Sequence, residues 1–265
     1  MALVQFPSPQ SGALQPDLED DEGAGGKMSF LEHLDELRKR LVQSCIGVAV
    51  GVCVGFAFIN PVVNFILKPT WRVLPQGSRM IYTQPGEAFG LYVQIGLIVG
   101  VVLATPWIMY QVWLFIAPGL YANEKRLAVP FVLMSTVGFV GGAAFNHYIV
   151  FPFMITFFAS FNTAALVFMP RLEDVFDLYT KMLLGMGLVF QMPTVVFFLA
   201  KMRMVTAGFL LRNFKYAVLI IFIVAAVITP TGDMITQTIF AAPMLGLYAL
   251  SILIAWAVAP KRETS

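Results

Sequence analysis

Six apolar runs, separated by connections that carry most of the charges, fill the chain from about residue 41 to 258. They cover about residues 41–59, 88–114, 127–158, 176–200, 215–229 and 234–258. A helix needs about 20 apolar residues to cross a typical hydrocarbon core. Runs of this length predict an all-α membrane protein with six transmembrane helices. Composition agrees, with 58% apolar residues, 12% charged residues and a mean hydropathy of +0.80. Soluble domains carry about 25% charged residues, so this chain would show water too much apolar surface to be one. A net charge of +2 gives no sign of a nucleic-acid partner.

The fifth and sixth spans are expected to be short and to meet in a tight outer turn at 229–233. The apolar run of the fifth, residues 216–228, rises only about 20 Å against a core of about 30 Å. The second and third spans are longer than a bilayer needs, and Pro106, Pro130 and Pro152 mark where they are expected to bend. Orientation follows from Lys and Arg. With both termini cytoplasmic, twelve of the 17 Lys and Arg residues fall on the inner side, from Lys27 to Arg262. The outer side holds Lys68, Arg72, Arg79, Arg171 and Lys181.

Three stretches fall outside or beside the spans. Residues 1–27, with Asp17, Glu19, Asp20, Asp21 and Glu22 ahead of a Gly-rich run, have the composition of a disordered tail and lack the pattern of a secretory signal. Residues 28–260 form the transmembrane domain, and 261–265 a cytoplasmic tail. Ser29 and Glu32 fit a capping box, and Leu34, Leu37 and Leu41 share one helix face. These predict a short amphipathic helix lying on the membrane surface and running into the first span. Cys45 and Cys53 are eight positions apart, about 12 Å along a helix axis, too far for a disulfide, and are expected to pack as small apolar residues.

No nucleotide-binding loop, HExxH, GxSxG or Cys/His cluster is present in the sequence, so nothing favours an enzyme, a metal or a cofactor. Two carboxylates attract interest. Glu36 and Glu124 lie at the predicted cytoplasmic ends of spans one and three. On spacing alone, Glu36 is free to pair with Arg40 four residues on, and Glu124 to be a solvated loop charge. Glu32 and Asp35 add negative charge nearby.

The most specific stretch is residues 110–126, which fits Y-Q-x-W-x-F-[IV]-A-P-x-L-Y-x-x-E-[KR]-[KR]. With it come H-L-x-E-L-R-[KR]-R-L at 33–41, L-P-x-G at 74–77, F-x-x-P at 190–193, Thr229-Pro230 and Gln237. This ordered set resembles the TatC family, core subunits of the twin-arginine protein translocase, over about residues 28–258. The resemblance implies an inner-membrane protein that binds the paired arginines of signal peptides and exports folded proteins. It also implies partners of the single-span TatA and TatB types, an oligomeric assembly, and energy from the proton gradient.

The chemistry suits that role, because a guanidinium pairs with a carboxylate through two parallel hydrogen bonds and Lys cannot. The family's signal-contacting glutamates match Glu36 and Glu124. Phe115, Pro118, Leu120 and Tyr121 would form the apolar rim around Glu124, equally readable as an interfacial aromatic belt. Gln191 and Gln237 match polar sites through which the family is thought to contact partner helices. Hydrogen bonding among the chain's own helices is the competing role. This chain departs from the family in carrying Gln at 191, where the family usually has Glu, and Ala at 249, where many relatives have Glu. The rival class is a secondary transporter or channel for a small solute, against which the absence of an internal repeat and the low ionisable content of the mid-span regions count.

Overall fold

The computed structural model describes residues 30–74, 80–116, 127–163, 167–229 and 233–258. The expectations for the tails, for Pro118, Leu120, Tyr121 and Glu124, and for the 230–232 turn lie outside the described residues.

The described chain is helical. Helix α1 (Phe30–Ala57) is followed by α2 (Ile59–Val73) and α3 (Glu87–Ile116). Then come α4 (Ala128–Phe145), a π-helical turn (Asn146–Val150) and α5 (Phe151–Ala159). Helices α6 (Leu172–Val189), α7 (Met192–Lys201), α8 (Ala207–Arg212), α9 (Phe214–Ile228) and α10 (Met234–Val258) complete it. Five stretches are long and apolar enough to cross a bilayer: α1, α3, α4 through α5, α6 through α7, and α10. The shorter α9 is the sixth span.

Four details differ from the sequence expectation. The amphipathic segment and the first span are one unbroken helix, because nothing between Phe30 and Ala57 interrupts its hydrogen bonds. The connection after the first span holds α2, an amphipathic helix. It buries Val63, Ile66 and Leu67 and exposes Phe65, Lys68, Trp71 and Arg72. The sixth span is not short: α10 has 25 residues, whereas α9 has 15 and rises about 22 Å. Cys45 and Cys53 are free and exposed on the outward face of α1 rather than packed inside.

The bends have identifiable causes. In the third span the α-helix loosens into the π turn just before Pro152, at the second position of α5, where a missing N–H costs little. Pro130 sits in the first turn of α4 and Pro106 inside the continuous α3. The fourth span breaks at Phe190-Gln191, and Pro193 opens α7.

The core centres on α6, whose Phe176, Met182 and Met186 are fully buried, together with Ile95 of α3, Met154 of α5 and Phe240 of α10. Lipid is as apolar as a leucine, so helices associate in membranes through close packing and polar contacts rather than through the hydrophobic effect. The α1–α3 seam shows this. A Cβ on Gly51 would strike the backbone of Gly100, and one on Gly100 would strike Val52. Trp107 Nε1 donates to the Gln43 carbonyl at 3.0 Å along the same seam. Helix α1 is otherwise peripheral: 11% of its span is buried, against 44% for the fourth span.

At the end where α1 finishes and α3 begins, two connections are pinned together. Ile81 and Arg171 form a bridge, with Leu172 N donating to Ile81 O at 2.9 Å. Arg171 Nη2 meets Glu87 Oε1 at 2.7 Å, and Thr83 donates to both oxygens of the same carboxylate. Gln94 Nε2 to Asp177 Oδ1, at 3.0 Å, continues the α3–α6 linkage into the bundle.

Candidate functional site

The opposite end, which carries the start of α1 and the end of α3, is where the sequence reading puts its two carboxylates. Glu36 lies in the second turn of α1, its side chain 13% exposed. Its Oε1 accepts from Arg40 Nη2 at 3.1 Å. The other oxygen, Oε2, is buried with no hydrogen-bond partner among the described residues, and so is Arg40 Nε. A single ion-pair contact therefore leaves half of the carboxylate's accepting capacity unused. An unmet buried acceptor costs about 1–3 kcal/mol, more when charged.

Phe115, in the last turn of α3, is half-buried and stacks on His33, with ring centroids 4.5 Å apart and planes 25° apart. His33 precedes Glu36 by three residues, so the two share a face of α1. The stack thus joins the helix end carrying Glu36 to the end of α3 that precedes residues 117–126. Of the six residues expected at a signal-binding site, the described structure brings Glu36 and Phe115 to this one end. Glu124, Pro118, Leu120 and Tyr121 fall between Ile116 and Leu127, outside the described residues.

An aromatic cluster ties the end of α3 to the start of α4 and to α7. Trp113 of α3 packs on Phe131 of α4 at 5.2 Å and on Phe198 of α7 at 5.9 Å, and Phe131 meets Phe198 at 5.0 Å. All three rings are buried, with Leu127 and Met202 against them. Aromatic pairs in such tilted and edge-on arrangements contribute about 0.5–1.5 kcal/mol each beyond their burial.

Gln111 is a residue to which the sequence reading assigns no role. It is 1% exposed, one turn before Phe115, and its Oε1 has no partner among the described residues. The signal for it was its place beside Tyr110 in the 110–126 pattern. A glutamine inside an apolar helix is costly unless its amide is used.

Gln191 and Gln237 lie elsewhere. Gln191 Nε2 donates to the Ser135 carbonyl of α4 at 2.9 Å, beside the break between α6 and α7. Gln237 Nε2 of α10 donates to the Phe222 carbonyl of α9 at 2.8 Å. Both amide nitrogens thus make bonds between the chain's own helices, and both side chains remain partly exposed.

A family profile described as Sec-independent protein translocase protein (TatC) matches residues 32–243. The chain belongs to the TatC family. It is 41% identical over 241 residues to the Sec-independent protein translocase protein TatC of Koribacter versatilis strain Ellin345, covering 89% of this chain and 88% of that protein. It is 40% identical over 228 residues to the TatC of Helicobacter pylori strain J99, covering 86% and 89%. Its structure superposes on the crystal structure of the twin-arginine translocase receptor TatC with a TM-score of 0.74 and 34% identity, covering 84% of this chain and 98% of the other. The same receptor crystallised in DDM gives 0.76. This TatC family member is accordingly a multi-pass bacterial membrane protein and a component of a Sec-independent protein translocase.

Proposed function

We propose that this chain recognises twin-arginine signal peptides at the end formed by the start of α1 and the end of α3. In this reading that end faces the cytoplasm, and both termini lie on that side. Glu36 and Glu124 accept the two guanidiniums. Phe115, Pro118, Leu120 and Tyr121 line the apolar rim that holds the segment after the arginines. The observation that carries the reading is the buried carboxylate of Glu36, with one oxygen on Arg40 and the other unpartnered among the described residues. An incoming guanidinium can donate to that oxygen and, by displacing Arg40 from Oε1, pair with both, which an ammonium, being a point charge, cannot do.

The rest follows the same reading. TatA- and TatB-type single-span proteins are the partners, the assembly is oligomeric, and the proton gradient drives export of folded cargo. Gln191 and Gln237 remain candidate contacts for partner helices through whatever capacity their in-chain bonds leave. The test is a photocrosslinker at residue 124 of the full chain in membranes. It should capture a signal peptide with paired arginines and lose most of that capture when both are replaced by lysine. Equal capture of the two peptides would refute the assignment.

A further inference from the structure

On the side of the molecule opposite Glu36, a cavity of about 300 Å³ opens between α2, the π turn and α5. Its walls include Phe65, Lys68 and Arg72 of α2, His147 and Tyr148 of the π turn, and Pro152 of α5. Lys68 and Arg72 are one turn apart on α2, so their like charges repel. Neither forms an ion pair among the described residues. This is a local choice, since the other described arginine of that side, Arg171, is paired with Glu87 and Glu173.

The apolar part of the cavity is equally specific. His147 is buried, its ring stacked on Phe65 with centroids 4.0 Å apart and its Nδ1 3.2 Å from the Tyr179 hydroxyl. Phe65 and Tyr148, which line the cavity, are exposed. A cationic pair above an apolar, aromatic wall, on an amphipathic helix flanking a membrane span, matches the chemistry of a headgroup over its acyl chains. It matches a peptide less well, because nothing in the wall offers a row of backbone partners.

We propose that this cavity binds a phosphate group through Lys68 and Arg72, either the headgroup of an anionic phospholipid in the leaflet opposite Glu36 or free phosphate. Arg72 supplies a fork for two phosphate oxygens and Lys68 a point charge. The site is separate from the signal-binding proposal and stands or falls without it.

The test uses the full chain purified in mild detergent free of anionic lipid. One arm titrates phosphatidylglycerol, with phosphatidylcholine as control, and reads retained lipid by native mass spectrometry. The other measures binding of radiolabelled inorganic phosphate. The Lys68→Gln/Arg72→Gln variant should bind about 30-fold more weakly, about fivefold for each charge. Lys68→Arg/Arg72→Lys should retain binding. If the double neutral variant fails to purify as a folded protein, Lys68→Gln alone should show the fivefold loss. Loss in the lipid arm identifies the headgroup source, and loss in the phosphate arm alone the free anion. Equal binding by wild type and neutral variants in both arms, or no preference for phosphatidylglycerol together with no phosphate binding, overturns the proposal.

Discussion

Glu36 holds Arg40 through one oxygen at 3.1 Å while its second oxygen is buried without a partner among the described residues. The pair therefore sets two opposite expectations. Glu36→Gln removes the charge and should weaken binding of a paired-arginine signal by about 1.5–3 kcal/mol, roughly 10- to 150-fold. Arg40→Gln releases the oxygen now occupied and should tighten binding about twofold, the worth of an i,i+4 ion pair. Titration of a fluorescent signal peptide into the reconstituted protein checks both. A loss of binding in Arg40→Gln equal to that in Glu36→Gln would mean that the pair acts as a structural brace.

Gln191 ties α7's start to α4 through the Ser135 carbonyl. Gln191→Leu should lower thermal stability in detergent by about 0.6–2 kcal/mol, the range for interhelical hydrogen bonds in membranes. A protonated glutamic acid still has a donor for Ser135, so Gln191→Glu should be tolerated better than Gln191→Leu near neutral pH. Crosslinking to a TatA- or TatB-type helix, measured in the same variants, separates a partner contact from the in-chain bond. Unchanged stability and unchanged crosslinking in Gln191→Leu would leave the residue without a role.

Helix α9, at 15 residues, is about 8 Å short of the hydrocarbon core. A short span thins the bilayer around it, at a fraction of a kcal/mol per Å of mismatch. Four leucines inserted after Leu219 lengthen the helix ahead of Phe222 and so spare the Gln237–Phe222 bond. Export should slow while signal crosslinking stays constant. Export at the wild-type rate would show that thinning at this helix is irrelevant.

Glu87 is nearly sealed at its side chain, with Arg171 and Thr83 as its donors. Arg171→Gln should lower the unfolding temperature, because a buried carboxylate loses its countercharge. The double variant Glu87→Gln/Arg171→Gln should unfold at a higher temperature than Arg171→Gln alone. Scanning calorimetry or a thermal-shift series in detergent reads the order of the three, and the reverse order would argue against a paired charge.

Orientation is tested by labelling. In a background without Cys45 and Cys53, which are exposed along α1, a cysteine at 168 should react with an impermeant reagent added outside. One at 123 should react only from the cytoplasmic side. The opposite pattern would place Glu36 outside and remove it from any cytoplasmic site.

Much of this protein is legible in one dimension because lipid is an undemanding solvent. Six runs of apolar residues must become six helices wherever their faces end up, since hydropathy and length alone decide whether a segment crosses. The 33–41 and 110–126 patterns likewise identify the family from residue types and spacing, and place Glu36 and Phe115 near one end of the bundle. The sequence said less about details that depend on neighbours. Residues 59–73 fall outside the apolar runs because two prolines and five polar or charged residues interrupt their apolar pattern, yet docking against α3 and α5 gives them an apolar face to bury. Cys45 and Cys53 look like core residues by type, but α1 touches little besides α3, so they face outward. Whether Gln191 meets a partner or its own chain depends on which carbonyl lies within about 3 Å, and only the packing of α4 against the break between α6 and α7 puts Ser135 there. The same holds for the stack of His33 on Phe115 and for the cavity that Lys68 and Arg72 share with His147. Membership of a span is a property of a segment's own composition, whereas a contact depends on two segments at once. The sequence by itself therefore determined the spans and the family, and the tertiary structure decided the contacts.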